Sequence, residues 1–351
     1  MENIELKLFT VADLKAYFVH NQKVDFLSER VITPTRAYAT IHNPYVTDDM
    51  AIVSAIYVDN EVAAYTYVFP DKLARPDRTI YWNTVLYVDP KFEGRGYGYM
   101  VIGQMLEIYG DDYFDLDAVP ASVENLKYAG LIVDMVERYE LCNKHYSRTS
   151  LGHILSSVDS LKNIFNRKRR KFVESLKHVT YQLEYANYID EQTYQFIESH
   201  SVKDVFLRSR EMLNWIMTYP MRQTSPLTNR VENPCFFTST QQWYDSFLVR
   251  VIVNKKMVGL YIIHESDMVF SLDYLYYDEA YKLEVFSSIG EHIRYFHTHR
   301  FITSNQELAE FLYNNGLFRQ FNLTTKTFSH PTSFDAQGKT HIQAGEGDNF
   351  I

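Results

Sequence analysis

The two halves of this 351-residue chain repeat one pattern of strands and helices, and this repetition limits the folds that the chain can adopt. The segment TVLYVDP at 84–90 parallels DYLYYDE at 273–279. Farther along each half, VENLKYAGL at 123–131 parallels AEFLYNNGL at 309–317. Strand-like alternation and helical spacing occur in both halves. We therefore expect an α+β protein (α/β mixed) that contains an internal duplication.

Shifts in composition along the chain indicate where its parts meet. Residues 151–178 combine helical spacing with the basic run RKRRK, which is typical of a charged connecting helix. The last residues, AQGKTHIQAGEGDNFI, are polar and contain glycine. We predict a first domain at 1–150, a basic linker helix at 151–178, a second domain at 179–334 and a C-terminal tail at 335–351.

The segment FEGRGYGYM at 92–100 places three glycines within five positions, although the chain has only 13. A long predicted strand, TIYWNTVLYV, precedes the segment, and apolar residues at helical spacing follow it. Backbone N–H groups at a helix start bind phosphate, and glycine allows them to approach it closely. Arg95 adds a charge whose fork geometry suits phosphate. The sequence therefore predicts a phosphate-binding loop.

Several kinds of phosphate loop differ in their spacing. A Walker loop requires GxxxxGK[ST], which this sequence lacks. A dinucleotide-binding loop requires GxGxxG, and its third glycine would fall on Tyr99. The third possibility is a loop for the pyrophosphate of coenzyme A, and the alternative to all three is a purely structural turn.

At these residues the sequence resembles the GNAT acetyltransferase superfamily, whose acetyl-CoA loop reads [QR]xxGx[GA]. EGRGYG at 93–98 matches at both glycines and departs at Glu93, where the family has Gln or Arg. LYVDPKF before the loop and SVENLKYAGL after it also resemble the family's elements. The resemblance implies two tandem GNAT-like domains, each a mixed, mostly antiparallel central sheet flanked by helices. The second copy has no glycine at the equivalent position, so it is expected to be degenerate.

The resemblance also implies a site for acetyl-CoA, used as a co-substrate without a metal. In the family, the fourth and fifth strands part, and the pantetheine arm lies between them. The residues expected to bind the cofactor are Leu86, Tyr87, Val88, Glu93, Gly94, Arg95, Gly96, Tyr97, Gly98 and Tyr99.

Transfer of an acetyl group to an amine requires a proton acceptor and an acid for the leaving thiolate. The family's acid is often a tyrosine four residues before the glycine of the fourth helix, and here that position is Leu126. Tyr128 is the candidate acid instead. Asp117, on the predicted strand YFDLDAV, is the candidate base, and Asp115 is expected on the same strand face. Asn83 and Tyr81 share a face of the long strand and are candidates for the acceptor site.

The formal net charge of -9 disfavours a general binder of nucleic acid and suits a cationic amine. The leading hypothesis is an N-acetyltransferase that acts on a small-molecule amine such as an amino sugar or an amino acid. One alternative is a non-catalytic acyl-CoA sensor or scaffold, favoured by Glu93 and by the displaced tyrosine. Another is an aminoacyl transferase that uses charged tRNA, favoured by the basic linker.

The remaining expectations concern the protein's surroundings. Two cysteines, in separate halves and without zinc-like spacing, disfavour a disulfide framework and a metal site. No apolar run approaches the roughly 20 residues of a membrane helix. We expect a cytoplasmic protein without a membrane segment, in which exposed strand ends are compatible with a homodimer.

Overall fold

The computed structural model describes residues 2–143, 167–176, 178–227, 230 and 234–347, and these residues form two units. The first unit combines segments 1–136, 203–242 and 326–351, whereas the second combines 137–202 and 243–325. Each unit therefore takes residues from both halves of the chain, where the sequence predicts two consecutive domains. Of the predicted linker helix, residues 151–166 and 177 lie outside the described residues.

The elements follow one another in the order that the repetition predicts. The helices are α1 (Val11–Leu14), α2 (Pro34–Ile41), α3 (Tyr97–Tyr109), α4 (Pro120–Tyr128), α5 (Arg167–Leu176), α6 (Glu191–His200), α7 (Arg210–Thr218), α8 (Lys282–Tyr295) and α9 (Gln306–Asn314). The strands are β1 (Ile4–Thr10), β2 (Ala51–Val58), β3 (Glu61–Arg75), β4 (Arg78–Val88), β5 (Tyr113–Leu116), β6 (Ile132–Cys142), β7 (Gln182–Ala186), β8 (Leu207–Arg208), β9 (Gln223–Thr224), β10 (Thr240–Gln241), β11 (Tyr244–Val253), β12 (Lys256–Ser266), β13 (Val269–Tyr277), β14 (Arg300–Thr303) and β15 (Gln320–His330).

In the first unit, β1 to β4 pair antiparallel in chain order, and β5 lies parallel to β4. The end of β15 lies antiparallel to β5, and β8 extends the sheet along β3. Every residue of β2 is buried, which explains its nearly continuous apolar sequence AIVSAIYV. A turn at Asp59 and Asn60 joins β2 to β3 with positive φ at both residues.

The second unit repeats this arrangement. Strands β7, β11, β12 and β13 pair antiparallel, and β14 lies parallel to β13. The last residues of β6 pair antiparallel with β14. The main sheet of each unit thus has one parallel strand pair, followed by a strand from the other half of the sequence, and in the first unit β9 and β10 form a separate two-stranded parallel sheet. The predicted fold class, two tandem domains with mixed, mostly antiparallel sheets flanked by helices, is confirmed.

The helices cover the sheets with apolar side chains, as their spacing predicts. Met212, Trp215 and Ile216 on α7 are buried in the core of the first unit. In the second unit, Phe172 on α5 is buried against Gly290 on α8. A Cβ atom at Gly290 would lie 2.6 Å from Cζ of Phe172, so the two helices approach closely because this residue is glycine.

The segment predicted as a C-terminal tail packs within the first unit through a buried arginine. Arg208 Nε donates to Asp71 Oδ2 at 2.6 Å, and its other nitrogens donate to the carbonyl oxygens of Gly345 and Gly347. Trp82 Nε1 donates to the same Asp71 oxygen at 2.8 Å. Because the side chains of Arg208 and Asp71 are completely buried, loss of either charge would remove the closest counter-charge of the other; Glu346 Oε2 lies farther from Arg208 Nη2, at 3.7 Å.

Candidate active site

Strands β4 and β5 run together for only three residue pairs. Their register joins Tyr81 to Tyr113, Trp82 to Phe114 and Asn83 to Asp115. Beyond Asn83, β4 continues to Val88 while β5 ends at Leu116.

A β-bulge marks the point where the two strands part. The register of β3 with β4 pairs Tyr67 with Val85 and Val68 with Asn83, so Thr84 is the additional residue. A bulge bends and twists the strand that carries it. The residues after it, including Leu86 and Val88, stay paired with β3 on one side and lie beyond the register with β5 on the other. Their backbone on the β5 side is thus available to an extended ligand.

The glycine segment lies between the end of β4 and the start of α3. Gly94 has φ of 77° and Gly96, the N-cap of α3, has φ of 79°. Nothing lies within 4 Å of a Cβ atom placed at either glycine, so the backbone conformation is what requires glycine there. No side chain caps this helix start. The N–H groups of its first turn therefore point outward at the positive end of the helix dipole.

Gly98 has a different role, because it allows three elements to meet. A Cβ atom at Gly98 would lie 3.1 Å from Cγ2 of Val88 and 3.2 Å from Nδ2 of Asn125. The helix start is thereby held against the end of β4 and against α4. Sequence reasoning missed Asn125, and its place within the segment that resembles the family's fourth helix was the available signal.

The charged side chains near the loop are exposed to solvent, and their ion pairs can be replaced by contacts with a ligand. Arg95 Nη1 lies 2.7 Å from Glu2 Oε2, and its guanidinium lies 5.3 Å from the ring centre of Phe92. Glu93 is exposed and precedes the first left-handed glycine. Because exposed ion pairs are weak, an anion at the helix start can compete with Glu2 for Arg95.

The other predicted cofactor residues have definite places. Tyr97 is buried with Phe92 and Val101 beneath α3, so its side chain serves packing while its backbone belongs to the loop. Tyr87 stacks on Phe236 with ring centres 4.7 Å apart. The structure therefore gathers the residues predicted for the cofactor at one end of β4 and one end of α3.

A buried polar cluster lies where the strands part. Asn83 Nδ2 donates to Asp115 Oδ2 at 2.6 Å, and the Thr66 hydroxyl lies 2.5 Å from Asn83 Oδ1. Asp115 is only 4% exposed, and its Oδ1 has no hydrogen-bond partner among the residues that the structure describes. Burial, with a smaller contribution from the charge of Asp117, raises the pKa of Asp115 to about 7, against the lowering effect of the Asn83 hydrogen bond. This carboxyl can therefore exchange a proton near neutral pH.

Asp117 lies outside the strand on which the sequence places it. Strand β5 ends at Leu116, and Asp117 has φ of 68° and donates its backbone N–H to Thr327 O at 2.8 Å. Its carboxylate forms an ion pair with Lys326. Asp115 and Asp117 therefore do not alternate within one strand, and only Asp115 belongs to the buried cluster.

Tyr128 ends α4 and is 77% exposed. Its ring meets that of Tyr99 edge-on, with centres 4.8 Å apart. Leu126, at the family's tyrosine position, is completely buried. Tyr81 stacks on Tyr109 of α3 at 3.7 Å. Tyr128 thus lies beside the first turn of α3, whereas Leu126 serves the core.

The second unit keeps the parted strands without the loop. The register of β12 with β13 skips Asp273, which is the residue that the sequence repeat aligns with Thr84. Strands β13 and β14 also pair over three residues only. At the start of α8, however, Lys282 forms ion pairs with Glu279 and Glu307. The arrangement of strands is duplicated, whereas the helix start with left-handed glycines belongs to the first unit.

The described part of the chain offers neither a metal site nor a membrane-spanning helix. Within the described residues, no group of three or more metal-ligating side chains is close enough to hold a metal ion. None of the helices described in the ranges above is long and apolar enough to cross a membrane.

No protein-family profile matches the sequence, and no curated protein is similar to it. Its structure is similar to that of a candidate acetyltransferase from Pyrococcus horikoshii, at TM-score 0.51 and 11% identity over 97% of this chain and 93% of that one. It is also similar to an Enterococcus faecalis protein described as an N-acyltransferase candidate, at TM-score 0.50 and 10% identity over 94% and 72% of the two chains. The chain has the GNAT fold. A tandem GNAT protein from the clavulanic acid biosynthesis pathway is similar at TM-score 0.48 and 8% identity, over 93% of this chain and 98% of that one.

Proposed function

We propose that this protein is an acetyl-CoA-dependent N-acetyltransferase whose acceptor is the amine of a small molecule. The observation that carries the proposal is the pair of left-handed glycines, Gly94 and Gly96, between a bulged strand and an uncapped helix start. This arrangement suits the pyrophosphate of coenzyme A. The free side of β4 after Thr84 suits the amides of the pantetheine arm, which would add to the strand as another strand does.

The reaction that fits this geometry is direct attack of the amine on the thioester. The new N–C bond forms as the C–S bond breaks, and the amine loses a proton while the thiolate gains one. We assign the proton acceptor to Asp115, through a water, because its pKa of about 7 lets it accept and release a proton near neutral pH. Asp117 is a weaker candidate because its carboxylate is engaged by Lys326. Tyr128, beside the first turn of α3, remains the candidate acid for the thiolate.

Calorimetric titration with acetyl-CoA tests the cofactor site, and the chain supplies a matched pair of glycines. Gly96→Ala introduces a side chain at positive φ and distorts the loop, so we expect affinity to fall at least about tenfold. Gly103→Ala lies inside the same helix, where a Cβ atom meets nothing within 4 Å, and should leave affinity unchanged. Gly96→Glu, which adds an anion at the pyrophosphate position, should abolish binding. Equal affinity in all three variants would remove the loop from the site.

Thiol release against a panel of amines then separates transfer from binding alone. The second candidate function, an acyl-CoA sensor, is favoured by the exposure of Tyr128 and by the Asp117–Lys326 ion pair. Tight acetyl-CoA binding without turnover of any amine would support the sensor. Absence of acetyl-CoA binding at millimolar concentration would contradict both readings and leave the tRNA-dependent alternative.

A further inference from the structure

The second unit, expected to be degenerate, contains a pocket of its own. Its volume is about 570 Å³, and it lies against β7 and the C-terminal half of α8. This volume falls within the range of roughly 300–1,000 Å³ of small-molecule sites. All the described residues that line it belong to the second unit, so it is separate from the acyl-CoA site proposed for the first.

A buried histidine orients one polar group of this pocket. His292 Nδ1 lies 2.9 Å from the Ser288 carbonyl oxygen, which fixes the proton on that nitrogen. The other nitrogen, Nε2, then accepts from the Tyr185 hydroxyl at 2.7 Å. Burial lowers the pKa of His292, which keeps the ring neutral and this direction of donation constant. The Tyr185 hydroxyl is held in place, while the residue as a whole remains 60% exposed at the pocket.

Two opposite charges line the pocket without pairing. Glu291 and Arg294 lie three residues apart on α8, and among the described residues neither forms a salt bridge. One oxygen of Glu291 accepts from the Tyr181 hydroxyl at 2.7 Å. Arg294 is the cationic side chain among the described residues that line this pocket, so a ligand anion would meet it there.

Aromatic surface completes the lining. Tyr295 is 79% exposed, Tyr185 extends from the edge strand β7, and Phe296 also lines the pocket. Exposed aromatic rings beside Glu291 and Arg294 suit a ligand that has an apolar body and carries both a positive and a negative charge. Such rings contribute both apolar contact and stacking.

We infer that this pocket binds a zwitterion with an aromatic body, in the class of aromatic α-amino acids. The ligand's carboxylate meets Arg294, its ammonium meets the carboxylate of Glu291, and its ring packs on Tyr185 and Tyr295. An acid and a base that form no salt bridge with each other favour a ligand that carries both charges. A ligand with only one charge would leave either Glu291 or Arg294 without a counter-charge.

Titration calorimetry with three related probes tests this selection on the full chain. L-Phenylalanine carries both charges, 3-phenylpropionate lacks the ammonium, and 2-phenylethylamine lacks the carboxylate. We expect phenylalanine to bind and each of the other two to bind at least about tenfold more weakly. Phenylpropionate that binds as tightly as phenylalanine would overturn the role of Glu291, and no binding of phenylalanine at about 10 mM would overturn the site.

Variants of the two charged residues provide the second arm. Arg294→Gln and Glu291→Gln should each weaken phenylalanine binding at least about tenfold, while Glu284→Gln, on the first turn of the same helix, should not. Thermal unfolding of each variant shows whether its fold is intact. Unchanged phenylalanine affinity in both pocket variants would contradict the proposal. Acetyl-CoA affinity should be the same in all of them, which separates this result from any result on the first unit.

Discussion

Replacement of Asp115 by asparagine tests whether this buried carboxyl is held neutral in the folded protein. Its pKa rises from 3.8 to about 7 on burial, so the folded chain binds the proton more tightly than the unfolded chain. Stability is therefore highest at low pH, falls as the pH rises from about 3.8 to about 7, and stays low above that. Ionisation of Asp115 lowers the free energy of unfolding by about 4 kcal/mol in total, and about 3 kcal/mol of this decrease occurs between pH 4.5 and pH 8.

Asp115→Asn removes the ionisation and therefore this pH-dependent part. The amide places an N–H group where Asp115 Oδ1 lies without a partner, which costs about 1–3 kcal/mol at every pH. Because this cost is the same at every pH, it does not contribute to the change in the variant's unfolding free energy between two pH values. The difference in unfolding free energy between variant and wild type should therefore move by about 3 kcal/mol in favour of the variant between pH 4.5 and pH 8.

Urea unfolding followed by tryptophan fluorescence measures this difference, since Trp82 lies within 5.8 Å of the Phe114 ring on β5. Asp190→Asn is the control. Hydrogen bonds from Thr193 lower the pKa of Asp190, so its contribution is present above its unfolded pKa and is lost only as the pH falls below about 3.8. That variant should lose the same stability throughout the range. Parallel pH curves for wild type and Asp115→Asn would refute a neutral Asp115 and its assignment as proton acceptor.

Three further predictions follow from single contacts. Asp71→Asn should destabilise the first unit by about 3 kcal/mol in urea unfolding, because the buried Arg208 loses its closest counter-charge, and a change below about 1 kcal/mol would contradict this. Gly290→Ala should lower the free energy of unfolding by about 1–3 kcal/mol in urea, because the added Cβ would lie 2.6 Å from Cζ of Phe172. Unchanged stability would show that α5 can move away from α8. Tyr128→Phe should slow thiol release at least about tenfold at constant acetyl-CoA affinity, and unchanged turnover would remove it from the acid role.

Local signals predicted local structure well. The glycines at 94 and 96 are left-handed, as a close-approach loop requires. The repeated segments at 84–90 and 273–279 have a common shape, since a bulge falls at Thr84 in one and at Asp273 in the other. Each of these features depends on a few residues that are neighbours in the sequence, so a local sequence pattern is enough to predict it.

Features that depend on distant contacts could not be predicted in the same way. The sequence places Asp117 on a strand, but β5 ends at Leu116 because the chain there turns to meet Lys326, 209 positions away. The perturbed pKa of Asp115 likewise arises from burial and from Asn83 on another strand. Nothing adjacent to Asp115 in the sequence indicates that its environment differs from that of Asp117.

The pairing of β5 with the end of β15 has a consequence for synthesis. Because the ribosome makes the chain from its N-terminus, Leu116 emerges long before Phe328, its partner in the sheet. The first unit therefore stays unfinished until nearly the whole chain has been made, and the edge of β5 needs protection during that interval. Either half of the sequence expressed alone would therefore form an incomplete sheet, because each half supplies one strand to the sheet of the other.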